Sequence, residues 1–142
     1  MKDINIILTR HGRYNNSRDK SDLSIGHITK EGKKEIAEKT KKRMDRLVGD
    51  NLKDTTFLII ASPTYWLSDK RLGRRAIETG IETRNEILKE LQEEGLSKEE
   101  AKGHFYSEPK IYTRHTNGIS IEELRNKLAE PNVYDLAPRL HT

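Results

Sequence analysis

Two apolar runs joined through an amphipathic helix constrain this chain more than any other feature. Ile4-Asn5-Ile6-Ile7-Leu8-Thr9 is nearly continuous in apolar character, and so is Thr56-Phe57-Leu58-Ile59-Ile60-Ala61. Runs of this kind mark strands covered on both faces. Between them Thr29 reads as a helix N-cap, and Ile36, Thr40, Met44 and Leu47 fall at helical spacing to give one buried face. Gly49-Asp50-Asn51 ends that helix. Strand, helix, strand predicts a parallel βαβ unit with a right-handed crossover. Ligands of such open sheets bind beyond the carboxyl ends of the strands, which places Arg10-His11-Gly12 and Ser62-Pro63-Thr64 on one rim.

The remainder reads as a single domain over 1–142 with an irregular tail at 130–142, where prolines interrupt any strand pattern. Gly12 to Gly26 is a polar loop, and Tyr65 to Gly73 is a polar-aromatic stretch. A helix then runs to about Glu94, with Ile77, Ile81, Leu88 and Leu91 as its apolar stripe and Gly95 as its C-terminal stop. Capping boxes open further helices at Ser97-Lys98-Glu99-Glu100 and at Ser120-Ile121-Glu122-Glu123, the second burying Leu124 and Leu128. Phe105 to Thr113 is a weak strand or an extended loop. With 32% hydrophobic against 35% charged residues, the core is small for the surface it supports. A helix-rich domain, or one lacking part of its sheet, is therefore expected.

Composition also narrows the chemistry. The absence of cysteine excludes disulfides and thiolate metal sites, and it is compatible with a reducing cytoplasm. No stretch approaches the length of a membrane span. The net charge of +4 is concentrated in Lys30 to Arg46 and Lys70 to Arg75. Because no aromatic-interleaved basic stripe or reader motif accompanies it, nucleic acid is not the expected ligand. The excess reads instead as solvated helix faces plus a pocket for a phosphorylated anion. The five histidines show no metal-ligand spacing, and neither a metal nor a cofactor is expected.

Phosphoryl transfer to histidine needs an imidazole aimed at phosphorus, with cations or fixed N–H donors on the nonbridging oxygens. Arginine suits the second task because its planar fork binds two oxygens at once. Arg10-His11-Gly12, at the end of an apolar run, meets both needs, and the glycine lets backbone approach a ligand closely. Leu8-Thr9-Arg10-His11-Gly12 resembles the nucleophile motif of the histidine phosphatase superfamily, in particular its phosphoglycerate-mutase-like branch. Other segments follow in the family's order. Asn15 or Asn16 looks like the phosphate-side asparagine, and Ile28-Thr29-Lys30-Glu31-Gly32 like the Leu-Thr-x-x-Gly lead-in to the first helix. Ala61-Ser62-Pro63-Thr64 looks like the Ser-Pro motif, and Arg75-Ala76-Ile77-Glu78-Thr79 like its Arg-Ala-x-x-Thr continuation. More faintly, Asn117-Gly118-Ile119-Ser120 is similar to the Gly-x-Ser opening of a later helix.

The resemblance implies an α/β fold: a three-layer phosphoglycerate-mutase-like domain with a mostly parallel central sheet, here with fewer strands than usual. It implies His11 as phosphorylated nucleophile, Arg10 and Arg75 as the phosphoryl clamp, and Asn16 as a phosphate-side ligand. Arg74 competes with Arg75 for the clamp, but Ala-x-x-Thr follows Arg75 in register. Two features depart from the family pattern. Tyr65 to Arg74 intrudes before the clamp arginine, with Tyr65 and Trp66 either packing on the helix or walling a substrate or partner. No late apolar strand ends in a second pocket histidine, which leaves His115 as the candidate, and Glu108 is the candidate acid. His27 and His104 read as surface residues, and His141 lies beside the terminus. The expected activity is phosphomonoester hydrolysis through phosphohistidine, on a phosphorylated small molecule or a phosphoprotein, with mutase chemistry disfavoured by the short chain. The alternatives are a catalytically impaired phosphate- or phosphopeptide-binding domain, and a truncated half-domain that completes itself as a homo-oligomer.

Overall fold

The computed structural model describes residues 7, 9–61, 70–106 and 111–113. Within them the ordered backbone is mainly helical: α1 (Lys30–Leu47), α2 (Arg74–Glu93) and the short α3 (Lys98–Lys102). Turns of 3-10 helix at Gly49–Asp54 and Lys70–Gly73 follow α1 and lead into α2. Strands β1 (Ile59–Ala61) and β2 (Ile111–Thr113) form a parallel pair, with Ile59 opposite Ile111 and Ala61 opposite Thr113.

The helix ends follow from capping chemistry. Thr29 is extended, and its hydroxyl accepts the Gly32 N–H at 3.0 Å, satisfying one of the donors that open α1. At the far end of α2 the Gly95 N–H bonds the Gln92 carbonyl at 2.9 Å, and the Leu96 N–H bonds that of Leu91 at 3.3 Å. This Schellman pairing turns the chain and drops Leu96 onto the core. Ser97 and Glu100 then close a reciprocal capping box that starts α3.

α1 contacts α2 and buries Gly32, Ile36, Thr40 and Met44, one residue per turn, with Gly32 set against Arg13 and Ile28 and Ile36 against Gly12. Leu47, expected on the same face, is 48% exposed at the last position of the helix. α2 departs further from its expected stripe. Ile77, Ile81 and Leu88 are half-buried, whereas Thr79, Gly80, Ile87, Glu90 and Leu91 are buried. α2 is contacted by α1, α3 and both strands, so its covered face is wider than one apolar stripe and rotated from it. The core gathers Met44, Leu52, Ile87, Leu91, Ala101 and Phe105. Phe57 lies against Phe105 with ring centroids 5.7 Å apart. Its N–H bonds the His104 carbonyl at 2.8 Å, and its carbonyl takes the Tyr106 N–H at 2.8 Å.

The expected three-layer α/β fold with a parallel central sheet is therefore corrected. The described residues are mostly helical, and their sheet is the two-stranded β1–β2 pair. A central layer needs several neighbouring strands sheltered on both faces. Here the large apolar side chains meet from helix to helix, and β1 is 3 residues long with β2 as its neighbour. Most of the Ile4–Thr9 run lies outside the described residues. Ile7 and Thr9 are described, belong to no strand, and Ile7 is 42% exposed. The Ser62–Thr64 segment, Tyr65 and Trp66, the helix expected from Ser120 and the 130–142 tail also lie outside the described residues.

One buried group stands out against this core. Glu90 is 7% exposed, and its Oε2 has no hydrogen-bond partner among the described residues. Burial, reinforced by Glu86, Asp45 and Glu93 and opposed by Lys41, pushes its carboxyl from 4.5 up to about 7. Across that window the folded chain keeps a proton that the unfolded chain releases, so stability is greatest below 4.5 and falls as pH rises through about 7. The expected loss is up to about 3 kcal/mol, read as the difference between wild type and Glu90→Gln in urea titrations at acid and alkaline ends of the window.

Candidate functional site

The segment from Arg10 to Ile28 folds back on itself before entering α1. Tyr14 and Ile28 form an antiparallel bridge, flanked by bonds of 2.9 Å from Asn15 N–H to the His27 carbonyl and from Thr29 N–H to the Arg13 carbonyl. Polar side chains shape the excursion. Asn15 Oδ1 accepts the Ser17 N–H at 2.9 Å, while its amide nitrogen donates to Asp22 at 3.1 Å and to the Ser24 hydroxyl. Hydrogen bonds from Ser24 and Asn15 hold the Asp22 carboxyl below its usual range. Asn15 is thus a loop-shaping residue, and Asn16 beside it is exposed.

α2 and the turn before it hold this loop in place. Arg71 donates to the carbonyls of Asp22 and Lys20, each at 3.2 Å. Arg74 donates to those of Leu23 and Ile25 at 3.2 and 3.3 Å, and to His27 Nε2 at 3.1 Å. Nδ1 of His27 donates to Glu78 at 2.5 Å, and Glu78 also accepts the Ile28 N–H at 3.1 Å. Gly26 has φ of +86°, and a Cβ there would stand 2.0 Å from the Arg71 carbonyl oxygen, so the contact demands glycine.

The Arg10-His11-Gly12 segment meets α2 directly. The Gly12 N–H donates to Thr79 Oγ1 at 3.0 Å, and that hydroxyl donates to the Arg75 carbonyl at 2.6 Å. His11 is half-buried and stands edge-on to Tyr14, with ring centroids 5.2 Å apart. The Arg75 guanidinium lies 4.7 Å from the centre of the same Tyr14 ring. Tyr14 therefore joins the expected nucleophile to one arm of the expected clamp. Nδ1 of His11 lies 3.2 Å from the Gly12 carbonyl, which can only accept; in the neutral imidazole this pairing puts the proton on Nδ1 and leaves Nε2 as the acceptor. Arg10 is exposed, and no carboxylate among the described residues pairs with Arg10 or Arg75. A Cβ at Gly12 would lie 2.6 Å from Ile36 Cδ1, so α1 packs against it.

The remaining candidates separate from this group. His115 and Glu108 lie outside the described residues. His27 is held by Glu78 and Arg74, and His104 Nδ1 donates to the Thr55 carbonyl at 3.1 Å. Arg13 pairs with Glu35 at 3.1 Å on the surface. Sequence reasoning missed Tyr14, and it quoted Thr79 as part of Arg-Ala-x-x-Thr without its bond to Gly12. The signals were an aromatic ring alone in a polar loop, and a threonine one helical turn after Arg75. Among the described residues no three histidine or acidic side chains converge as a metal site, and no helix is long and apolar enough to cross a membrane. Compared with family models, curated proteins and solved structures, the chain matches none of them.

The two neighbouring arginines should separate by assay. Arg74→Ala removes donors from loop carbonyls and is expected to lower unfolding free energy by about 1–3 kcal/mol in urea titrations. Arg75→Ala removes a ring contact and is expected to cost under about 1 kcal/mol. Stabilisation by added inorganic phosphate should disappear in Arg75→Ala and persist in Arg74→Ala.

Proposed function

We propose that this chain is a cytoplasmic, cofactor-independent phosphomonoester hydrolase of the histidine-phosphatase type. The observation that carries the reading is the shared contact of His11 and Arg75 with Tyr14, fastened by the Gly12–Thr79 bond. Residues far apart in the chain supply an imidazole with a directed lone pair and cations left without carboxylate partners among the described residues. That is the equipment phosphoryl transfer requires.

In this reading Nε2 of His11 attacks phosphorus. The N–P bond forms as the ester P–O bond breaks, and the departing oxygen takes a proton from an acid. Arg10 and Arg75 hold the nonbridging oxygens, where negative charge resides throughout. Water then attacks phosphorus, giving a proton back to that acid, as the N–P bond breaks and inorganic phosphate leaves; His11 and the acid are returned to their starting states. The substrate is a phosphorylated small molecule or a phosphoprotein.

A second reading has its own support. His27 and His104 are held by other partners, so neither is offered to the phosphate as a second imidazole. A domain that binds phosphate or phosphopeptide without turnover would keep Arg10 and Arg75 and need no second histidine.

Rapid acid-free quenching during hydrolysis of a generic phosphomonoester should trap phosphate on His11, and His11→Ala should lose both the label and the hydrolysis. An unchanged rate in His11→Ala would sink the catalytic reading. Phosphate-dependent stabilisation with no turnover in the wild type would select the binding reading.

A further inference from the structure

Arginines around the Arg10–Ile28 loop are held by different kinds of partner. Arg13 pairs with the Glu35 carboxylate at 3.1 Å. Arg74 donates to the carbonyls of Leu23 and Ile25 and to His27 Nε2. Arg75 is fixed in a third way, with its guanidinium 4.7 Å from the centre of the Tyr14 ring. The difference decides what each can still bind. A carboxylate orients a guanidinium but cancels its charge, and carbonyls occupy its N–H donors. An aromatic face attracts the cation without cancelling its charge or needing its in-plane donors.

Of the two side chains in that contact, Tyr14 is the one whose backbone is tied down. It bridges Ile28, and the Arg13 carbonyl before it accepts the Thr29 N–H. After it, Asn15 donates to the His27 carbonyl and accepts the Gly26 N–H, each at 2.9 Å. Glycine at position 32 lets the Arg13 backbone sit directly on α1. Arg75, by contrast, is a long side chain leaving the first turn of α2, with several rotatable bonds to be ordered. The ring that meets it also stands edge-on to the half-buried His11, at 5.2 Å between centroids.

We propose that Tyr14 is a positioning residue of the phosphate site. Its ring holds the Arg75 guanidinium beside the His11 imidazole, and leaves the arginine charged and able to donate to an anion. This role rests on the phosphate-site reading of Arg10, His11 and Arg75, and adds the residue that sets the spacing of two of them. Held over the ring, Arg75 loses little further freedom when it takes up phosphate oxygens, which favours binding. Tyr14 acts through Arg75 and His11, and the ring rather than the hydroxyl makes both contacts.

Calorimetric titration of the full chain with inorganic phosphate, paired with NMR of the arginine and histidine side chains, tests this. Wild type is expected to bind phosphate saturably, and Tyr14→Phe, which keeps the ring, should match it. Tyr14→Leu keeps apolar bulk without a π face and should weaken binding about two- to fivefold. In wild type and Tyr14→Phe the ring current should move the Arg75 side-chain protons upfield, and in Tyr14→Leu that displacement should vanish while the His27 signals stay in place. Undiminished affinity in Tyr14→Leu would overturn the proposal and leave the phosphate-site reading standing. A Tyr14→Phe variant as weak as Tyr14→Leu would overturn the role of the ring. Weaker binding accompanied by displaced His27 signals would mark a loosened loop and overturn positioning. Arg75 protons without upfield displacement in wild type would overturn it with no variant needed. No saturable binding by wild type at concentrations around 1 mM and above would overturn this role and the phosphate-site reading together.

Discussion

The bond from the Gly12 N–H to Thr79 Oγ1 joins residues 67 positions apart, and the candidate site depends on it more than on any apolar contact. The Arg10–Ile28 segment buries few large apolar side chains, chiefly Ile25 and Ile28, while Leu23 is 84% exposed. Burial alone could not hold so polar a segment in one place, because ordering its backbone costs more than two side chains return. What fixes it is a ladder of donors and acceptors along one helix: Arg71 and Arg74 to loop carbonyls, Glu78 to Ile28 N–H and His27, Thr79 to Gly12. Apart from the His27 ring contact, each interaction uses a backbone group that the loop leaves without a sheet or helix partner. The site is therefore as rigid as the N-terminal turns of α2, and whatever shifts that helix shifts His11 with it.

That dependence explains what could be read from the chain and what could not. Features governed by a few adjacent residues were legible. The Thr29 cap, the Ser97–Glu100 box, the Gly95 stop and the α1 stripe through Met44 all follow from local hydrogen bonding or from helical spacing. The choice of Arg75 over Arg74 for the phosphoryl clamp rested on the register of Ala-x-x-Thr; Arg74 donates to the loop carbonyls, and Arg75 lies half-buried over Tyr14. The sheet was not legible. A run such as Thr56–Ala61 announces that it will be covered without saying by what, and here it pairs with the stretch beyond α3 and packs into a helical core. Tyr14 was equally hidden, because its partners His11 and Arg75 meet only after the loop has been fastened to α2.

The charges on α2 connect the two ends of the molecule. A helix favours anions at its N-terminus and cations at its C-terminus. α2 has no acidic residue in its first turn and no basic residue in its last, and it begins with Arg74 and Arg75. Glu90 and Glu93 occupy the other end. Both termini thus carry charge of the sign that the macrodipole opposes, at a cost of about 0.3–1 kcal/mol for each such group. Arg74 recovers part of that cost from the loop, and Arg75 part from the Tyr14 ring. An anion near Arg75 would be attracted by side chain and helix end together. Arg75 and Glu90 stand about 22 Å apart along the axis at ~1.5 Å per residue, too far for direct electrostatic interference in physiological salt. In the proposed reading, the arginines that open α2 against its own dipole would be the ones that receive a phosphoryl group.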